Sequence, residues 1–204
     1  MWALSIVLRH LELALRLHTA VPTLPPEVAY AHVQAASAAA TEQVTAELLL
    51  GIAFVESRFD PRAVSRVEGR TRKTGPYAST TAPASLDPRA SLYCGPLQTF
   101  APSWSACMAM RDLVTAYAAG AAELHQWLRD RRVHGSTTRA LAGHGCGNYG
   151  VLTGRCNGYP ERVLAAPDRA PHRRQLVTRR GRLRVRPAPA RTEAPHRAAR
   201  ALRH

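Results

Sequence analysis

Residues 46–55, AELLLGIAFV, place almost no polar side chain on any face of a helix. A helix that is apolar all round has no surface to offer water, so it must run through the middle of a domain. Thr41 is positioned as its N-cap, with Glu42 and Gln43 in the first turn. Leu48, Leu49, Ile52 and Phe54 or Val55 fill its sides, and it extends to Ser57 before Asp60-Pro61 ends it. Everything else in the 204 residues has to be arranged around this segment. Its last turn carries a carboxylate, Glu56, in an otherwise greasy setting.

The flanking sequence is helical in pattern. Residues 1–18 have apolar positions at helical spacing, interrupted by Arg9, His10, Glu12 and Arg16. That pattern predicts an amphipathic packing helix. It lacks the charged start and uninterrupted 7–15-residue apolar region of a signal peptide, and is too interrupted to span a membrane. Pro22, Pro25 and Pro26 separate it from a second helix that Pro26 can open. Residues 66–93 are polar with scattered Gly and Pro, which predicts a long loop. Residues 108–132 form an amphipathic helix, with Met110, Leu113, Tyr117, Ala121, Leu124 and Leu128 on one face. Another starts at 136–145, capped by Ser136 or Thr137, and runs into a glycine-rich loop. Pro160 begins a short last helix. No segment alternates long enough to demand a strand, so the class is mainly α.

Net charge is +14, but residues 169–204 hold twelve arginines and one acid, Glu193, and so account for +11 of it. That segment reads as a largely disordered basic tail, with "RLRVR" its one strand-like stretch. It lacks an aromatic residue to stack on bases; anionic wall polymers, lipid headgroups or nucleic acid would all satisfy its charge. The four cysteines, Cys94, Cys107, Cys146 and Cys156, fall as two local pairs. Two disulfides of an exported protein and four reduced core thiols are both consistent with that spacing. Zinc is a weaker third reading: His144 stands near Cys146, but no C-x-x-C pair or H-E-x-x-H occurs. A Cys/His peptidase built on Cys94 or Cys146 has no nucleophile motif behind it. No cofactor is called for.

An apolar setting disfavours a carboxylate relative to its acid form, and the negative end of a helix dipole acts in the same direction. A glutamate so placed suits a general acid. The bland alternative is a glutamate at a frayed helix end that simply reaches solvent. The neighbours of Glu56 bear on the choice. "ESRFDPRAVS" followed by "YCGPLQTF" resembles the soluble-type lytic transglycosylases of the lysozyme-like superfamily. Glu56, Ser57, Phe59, Pro61, Ala63 and Ser65 match the family's first block, and Gly95 and Gln98 its Gly-x-x-Gln block. "DLVTAYAAGAAELHQWL", "RALAGHGCG" and "GYPERVL" are similar to the later blocks, in order. The likeness covers roughly residues 42–165. It departs where the family has Tyr-Asn and this chain has His144-Gly145, and in a longer loop between the first two blocks.

The resemblance implies a lysozyme-like helical domain over 41–167; residues 1–40 read as a helical extension and 168–204 as the Arg-rich tail. It implies cleavage of the MurNAc–GlcNAc β-1,4 bond of peptidoglycan by Glu56 alone. The work would be done in the cell envelope or periplasm, or by a phage virion component acting there. Gln98 would contact substrate, as an alternative to stabilising its own turn. Ser57 would hydrogen-bond Glu56, a sugar or backbone. His144 or Tyr149 is left to replace the family's tyrosine beside the acid, and Tyr149 and Tyr159 would stack on sugar or pack the core. A muramidase-type hydrolase needs a second carboxylate about 5–9 Å away. Asp60 reads first as a turn residue, while Glu68 and Asp87 lie in the long loop. A third function class is an Arg-rich polyanion-binding protein on an inactive lysozyme-like domain.

Overall fold

The central helix forms as its composition requires. In the computed structural model, which describes residues 2–68, 71–73 and 92–166, helix α3 (Ala46–Ser57) buries Leu48, Leu49, Leu50, Gly51, Ile52 and Ala53. Its cap is Thr45, whose hydroxyl accepts from the Leu48 amide at 3.2 Å. Thr41 is used one turn earlier, accepting from the Val44 amide. Thr45 and not the expected Thr41 therefore caps α3, and the two threonines close the same kind of turn.

Two helices precede it. α1 (Trp2–Ala20) packs on α2 (Pro26–Ala39), which opens on Pro26 as expected. α2 is no extension: Ala29, His32, Val33, Ala35 and Ala36 are buried in the same cluster as α3. A boundary at residue 40 would cut that core in two.

After α3 comes a small antiparallel sheet in the order β2-β1-β3-β4: β1 (Val64–Glu68), β2 (Thr71–Lys73), β3 (Leu92–Cys94) and β4 (Thr99–Ala101). β1 pairs Val64 with Cys94 and Arg66 with Leu92. The expectation of an unstructured loop from residue 66 is corrected here for 66–68, 71–73 and 92–93. "VSRVE" has too few apolar residues to announce a strand, and its place is set by pairing with β3. Residues 74–91 lie outside the described residues, as do the side chains of Glu68 and Asp87 and the tail.

α4 (Trp104–Ala109) and α5 (Leu113–Arg129) divide what the sequence suggested was one helix, because Asp112 caps α5 by accepting from the Thr115 amide at 2.8 Å. α6 (Thr137–Thr153) is capped by Ser136 and consists of two helical segments that meet at Gly147, the second of them within the stretch expected to be a glycine-rich loop. It kinks at Gly147 (φ 59°, ψ −146°). α7 (Tyr159–Leu164) closes the described chain. Both cysteine pairs are disulfides: Cys94–Cys107 ties β3 to α4, and Cys146–Cys156 joins α6 to the turn before α7. Among the described residues no helix is long and apolar enough to cross a membrane.

Candidate active site

The end of α3 is sharply defined. Arg58 and Phe59 both take positive φ (58° and 67°), so the chain reverses within two residues. Neither is glycine, and this backbone is disfavoured for both. It is held by burial of the Phe59 ring, 5.2 Å from the His32 ring, and by the Phe59 amide donating to the Ala53 carbonyl. The Arg58 guanidinium lies over the Phe54 ring at 4.0 Å. Glu56, two residues before this reversal, is half-buried. Its environment is therefore less enclosed than the run of apolar residues before it suggests.

Ser57 ties this end to the sheet. Its hydroxyl donates to the Pro96 carbonyl at 2.8 Å and accepts from the Asp60 amide at 3.1 Å. Pro96 belongs to the turn 95–98 between β3 and β4. Gly95 takes φ 72° there, and a Cβ on it would lie 2.7 Å from the Met110 carbonyl oxygen. Gln98, also at positive φ (51°), is buried, and its amide is fully engaged. Nε2 donates to the carbonyls of Ala63 (3.1 Å) and Gly95 (3.0 Å), and Oε1 accepts from Ser65 Oγ at 2.8 Å. In this arrangement Gln98 locks its own turn to the start of β1, which is the alternative to substrate contact. Ser57 likewise bonds backbone, not Glu56.

The other side of the turn is held by His144. Its ring is buried on α6, with Nδ1 3.0 Å from Glu123 Oε1 on α5 and Nε2 3.2 Å from the Leu97 carbonyl. Both nitrogens thus face acceptors, and only the imidazolium donates from both. Burial alone pushes this imidazole down. The hydrogen bond and charge of Glu123 outweigh it, followed by the charge of Glu56 and the Leu97 carbonyl, and the net direction is up. For Glu123 burial favours the acid form, but the His144 hydrogen bond and charge, with the Phe100 amide and Trp127 side chain, hold its carboxyl below the usual range. The pair is therefore imidazolium and carboxylate.

Of the remaining expected residues, Tyr159 is buried with its ring 6.2 Å from that of His144. The ring packs against α6: a Cβ on Gly145 would come 2.8 Å from it. Tyr149 lies past the α6 kink and is exposed; the His144 ring has neighbours of its own and Tyr149 is not among its hydrogen-bond partners. Glu123 is the residue that sequence reasoning missed. It follows Gly120 by three and Ala116 by seven, both buried, and that helical spacing carried the signal.

The disulfides leave no thiolate, so Cys146 is unavailable as a metal ligand beside His144 or as a peptidase nucleophile. Among the described residues no cluster of three His, Cys, Asp or Glu side chains is placed to hold a metal. No family model, curated protein or solved structure matches the chain.

Proposed function

We propose that the helical domain is lysozyme-like and cleaves the MurNAc–GlcNAc bonds of peptidoglycan as a lytic transglycosylase, with Glu56 as its acid and base. The observation that carries this reading is the isolation of Glu56 among committed carboxylates. Asp60 Oδ1 accepts from the Arg62 amide at 2.9 Å and serves the turn. Glu123 is taken by His144. Glu56 alone of these three has no such assigned partner, and a single-carboxylate mechanism needs one such group.

In that mechanism Glu56 gives its proton to the glycosidic oxygen as the C1–O bond breaks. It then accepts the proton of the MurNAc C6 hydroxyl, whose oxygen closes a 1,6-anhydro ring on C1. No water is consumed. The resemblance of "ESRFDPRAVS", "CGPLQ" and "GYPERVL" to the family supports the assignment. The two disulfides suit an oxidising compartment such as the envelope. Glycan strands are then the partner of the domain, and the basic tail serves polyanions.

The test is clearing of purified sacculi, wild type against Glu56→Gln, with mass spectrometry of the products. Loss of about 10²–10⁴-fold in rate is expected for removal of the acid–base group, together with anhydro-muropeptide products in the wild type. Reducing ends would instead indicate the muramidase. Activity that survives Glu56→Gln would sink both.

A further inference from the structure

The turn 95–98 between β3 and β4 is gripped by three helices. From α3, Ser57 donates to the Pro96 carbonyl at 2.8 Å. From α6, His144 Nε2 lies 3.2 Å from the next carbonyl, that of Leu97. From α5, Glu123 Oε1 takes the other ring nitrogen of His144 at 3.0 Å, while Oε2 accepts from the Phe100 amide of β4 at 3.4 Å. The Leu97 side chain is buried against α5, where a Cβ on Gly120 would lie 2.6 Å from its Cδ2. One ion pair thus holds both the turn and the strand that follows it.

Glu56 is tied to this turn through the next residue, Ser57. A shift of the turn passes to the last turn of α3 along that bond. Displacing a reacting group by about 1 Å costs on the order of 10²-fold in rate. The grip depends on a proton. A neutral imidazole has one N–H, which serves the Glu123 carboxylate or the Leu97 carbonyl but not both. The carboxylate is the stronger acceptor, so the bond to Leu97 is the one lost. Among the described residues, the titratable groups facing His144 are Glu123 from α5, Glu56 from α3 and Tyr159 from α7, its ring at 6.2 Å. Both carboxylates favour the imidazolium.

We propose that Glu123 and His144 form a positioning clasp, which holds the turn 95–98, and with it the end of α3 that carries Glu56, in one place while His144 keeps both ring protons. The role is placement: neither side chain exchanges a proton with substrate. The clasp rests on the reading of Glu56 as the catalytic group. The proton affinity of His144 is raised above its ordinary 6.5, so the clasp is closed below that value and opens as pH rises through the raised one.

The experiment has two arms on the full chain. In the first, backbone amide signals of Leu97, Gln98 and Phe100 are followed by NMR across the His144 imidazole titration. They are expected to move with that titration in wild type and to lose the transition in His144→Gln. In the second, initial rates on soluble glycan strands are measured over the same range. Wild-type kcat is expected to fall at the His144 midpoint with KM nearly constant. In Glu123→Gln, which keeps an acceptor for the Phe100 amide and serves if His144→Gln does not fold, the fall is expected at lower pH. In His144→Gln kcat is expected to be lower by about 10–10²-fold, without the His144 limb. A wild type that cleaves no strand at any pH overturns the reading of Glu56. With an active wild type, turn amides indifferent to the His144 titration, or an alkaline limb left in place by both variants, overturn the clasp alone.

Discussion

His144 holds two acceptors at once, the Glu123 carboxylate and the Leu97 carbonyl, and does so only while it carries both protons. Its proton affinity is higher folded than unfolded, with burial opposing and Glu123 prevailing. Such a group stabilises the fold fully below its unfolded value near 6.5, and the contribution is lost as pH rises through the folded value. Glu123→Ala removes the carboxylate that outweighs burial, so the His144 ring reverts to its neutral form and loses one hydrogen-bond partner, at a cost of about 1–3 kcal/mol. Glu123→Gln keeps an acceptor but not the charge. In that variant the His144 titration is expected to move down, and the alkaline fall in stability to shrink. Imidazole chemical shifts followed with pH measure the first, and denaturant unfolding at several pH values the second. A His144 titration unmoved by Glu123→Gln would contradict the pairing. At this scale the sequence made Glu56, Ser57, Gln98 and His144 visible as residues, because each sits in a short pattern. It did not show what their polar atoms touch. The bonds from Ser57 to Pro96 and from His144 to Glu123 span 39 and 21 residues, and no local pattern reports such partners.

Elements were legible where burial has a period. α2, α3, α5 and α7 follow their apolar spacing and their prolines closely. The strands were not, since β1 is a polar five-residue stretch held by its register with β3. The second half of α6 was hidden by glycines, which usually argue against a helix. Here they permit one: a Cβ at Gly150 would sit 1.9 Å from the Ala142 carbonyl oxygen, so the two halves of the kinked helix approach as only glycine allows. The kink itself is a separate device. Gly147 adopts φ 59° and ψ −146°, which is essentially restricted to glycine, and nothing lies within 4 Å of where its Cβ would be. Gly147→Ala therefore tests backbone strain without a steric clash. A loss of about 1–3 kcal/mol is expected, or several degrees in Tm for a chain of this size. Thermal unfolding with both disulfides intact measures it, and an unchanged midpoint would mean that the kink is not needed.

At the scale of the whole molecule, three helices meet at His32. Its ring on α2 lies 5.2 Å from Phe59 at the end of α3 and 5.8 Å from Tyr117 on α5. Nδ1 is 3.0 Å from the Tyr117 hydroxyl. Burial pushes the phenol of Tyr117 up, so it keeps its proton, and its hydroxyl and the His32 ring share one hydrogen bond with the imidazole neutral. Burial also pushes His32 down to about 4. Between pH 6.5 and 4 the unfolded chain therefore binds a proton that the folded chain refuses. Stability is full above 6.5 and falls as pH drops, by about 1.4 kcal/mol per unit and about 3 kcal/mol by pH 4. Two buried histidines with opposite shifts thus bound the stable range: His32 sets the acid side and His144 the alkaline side. Carboxylates such as Glu123, whose affinity for protons is lowered, add to the acid loss only below their ordinary range near 4.5. The interval from 6.5 to 4.5 isolates His32. His32→Gln is expected to be less stable at neutral pH yet nearly flat across that interval, with the alkaline limb retained. Glu123→Gln is expected to show the reverse. A wild-type unfolding free energy that does not change between pH 6.5 and 4.5 would contradict a neutral His32 at the junction of α2, α3 and α5.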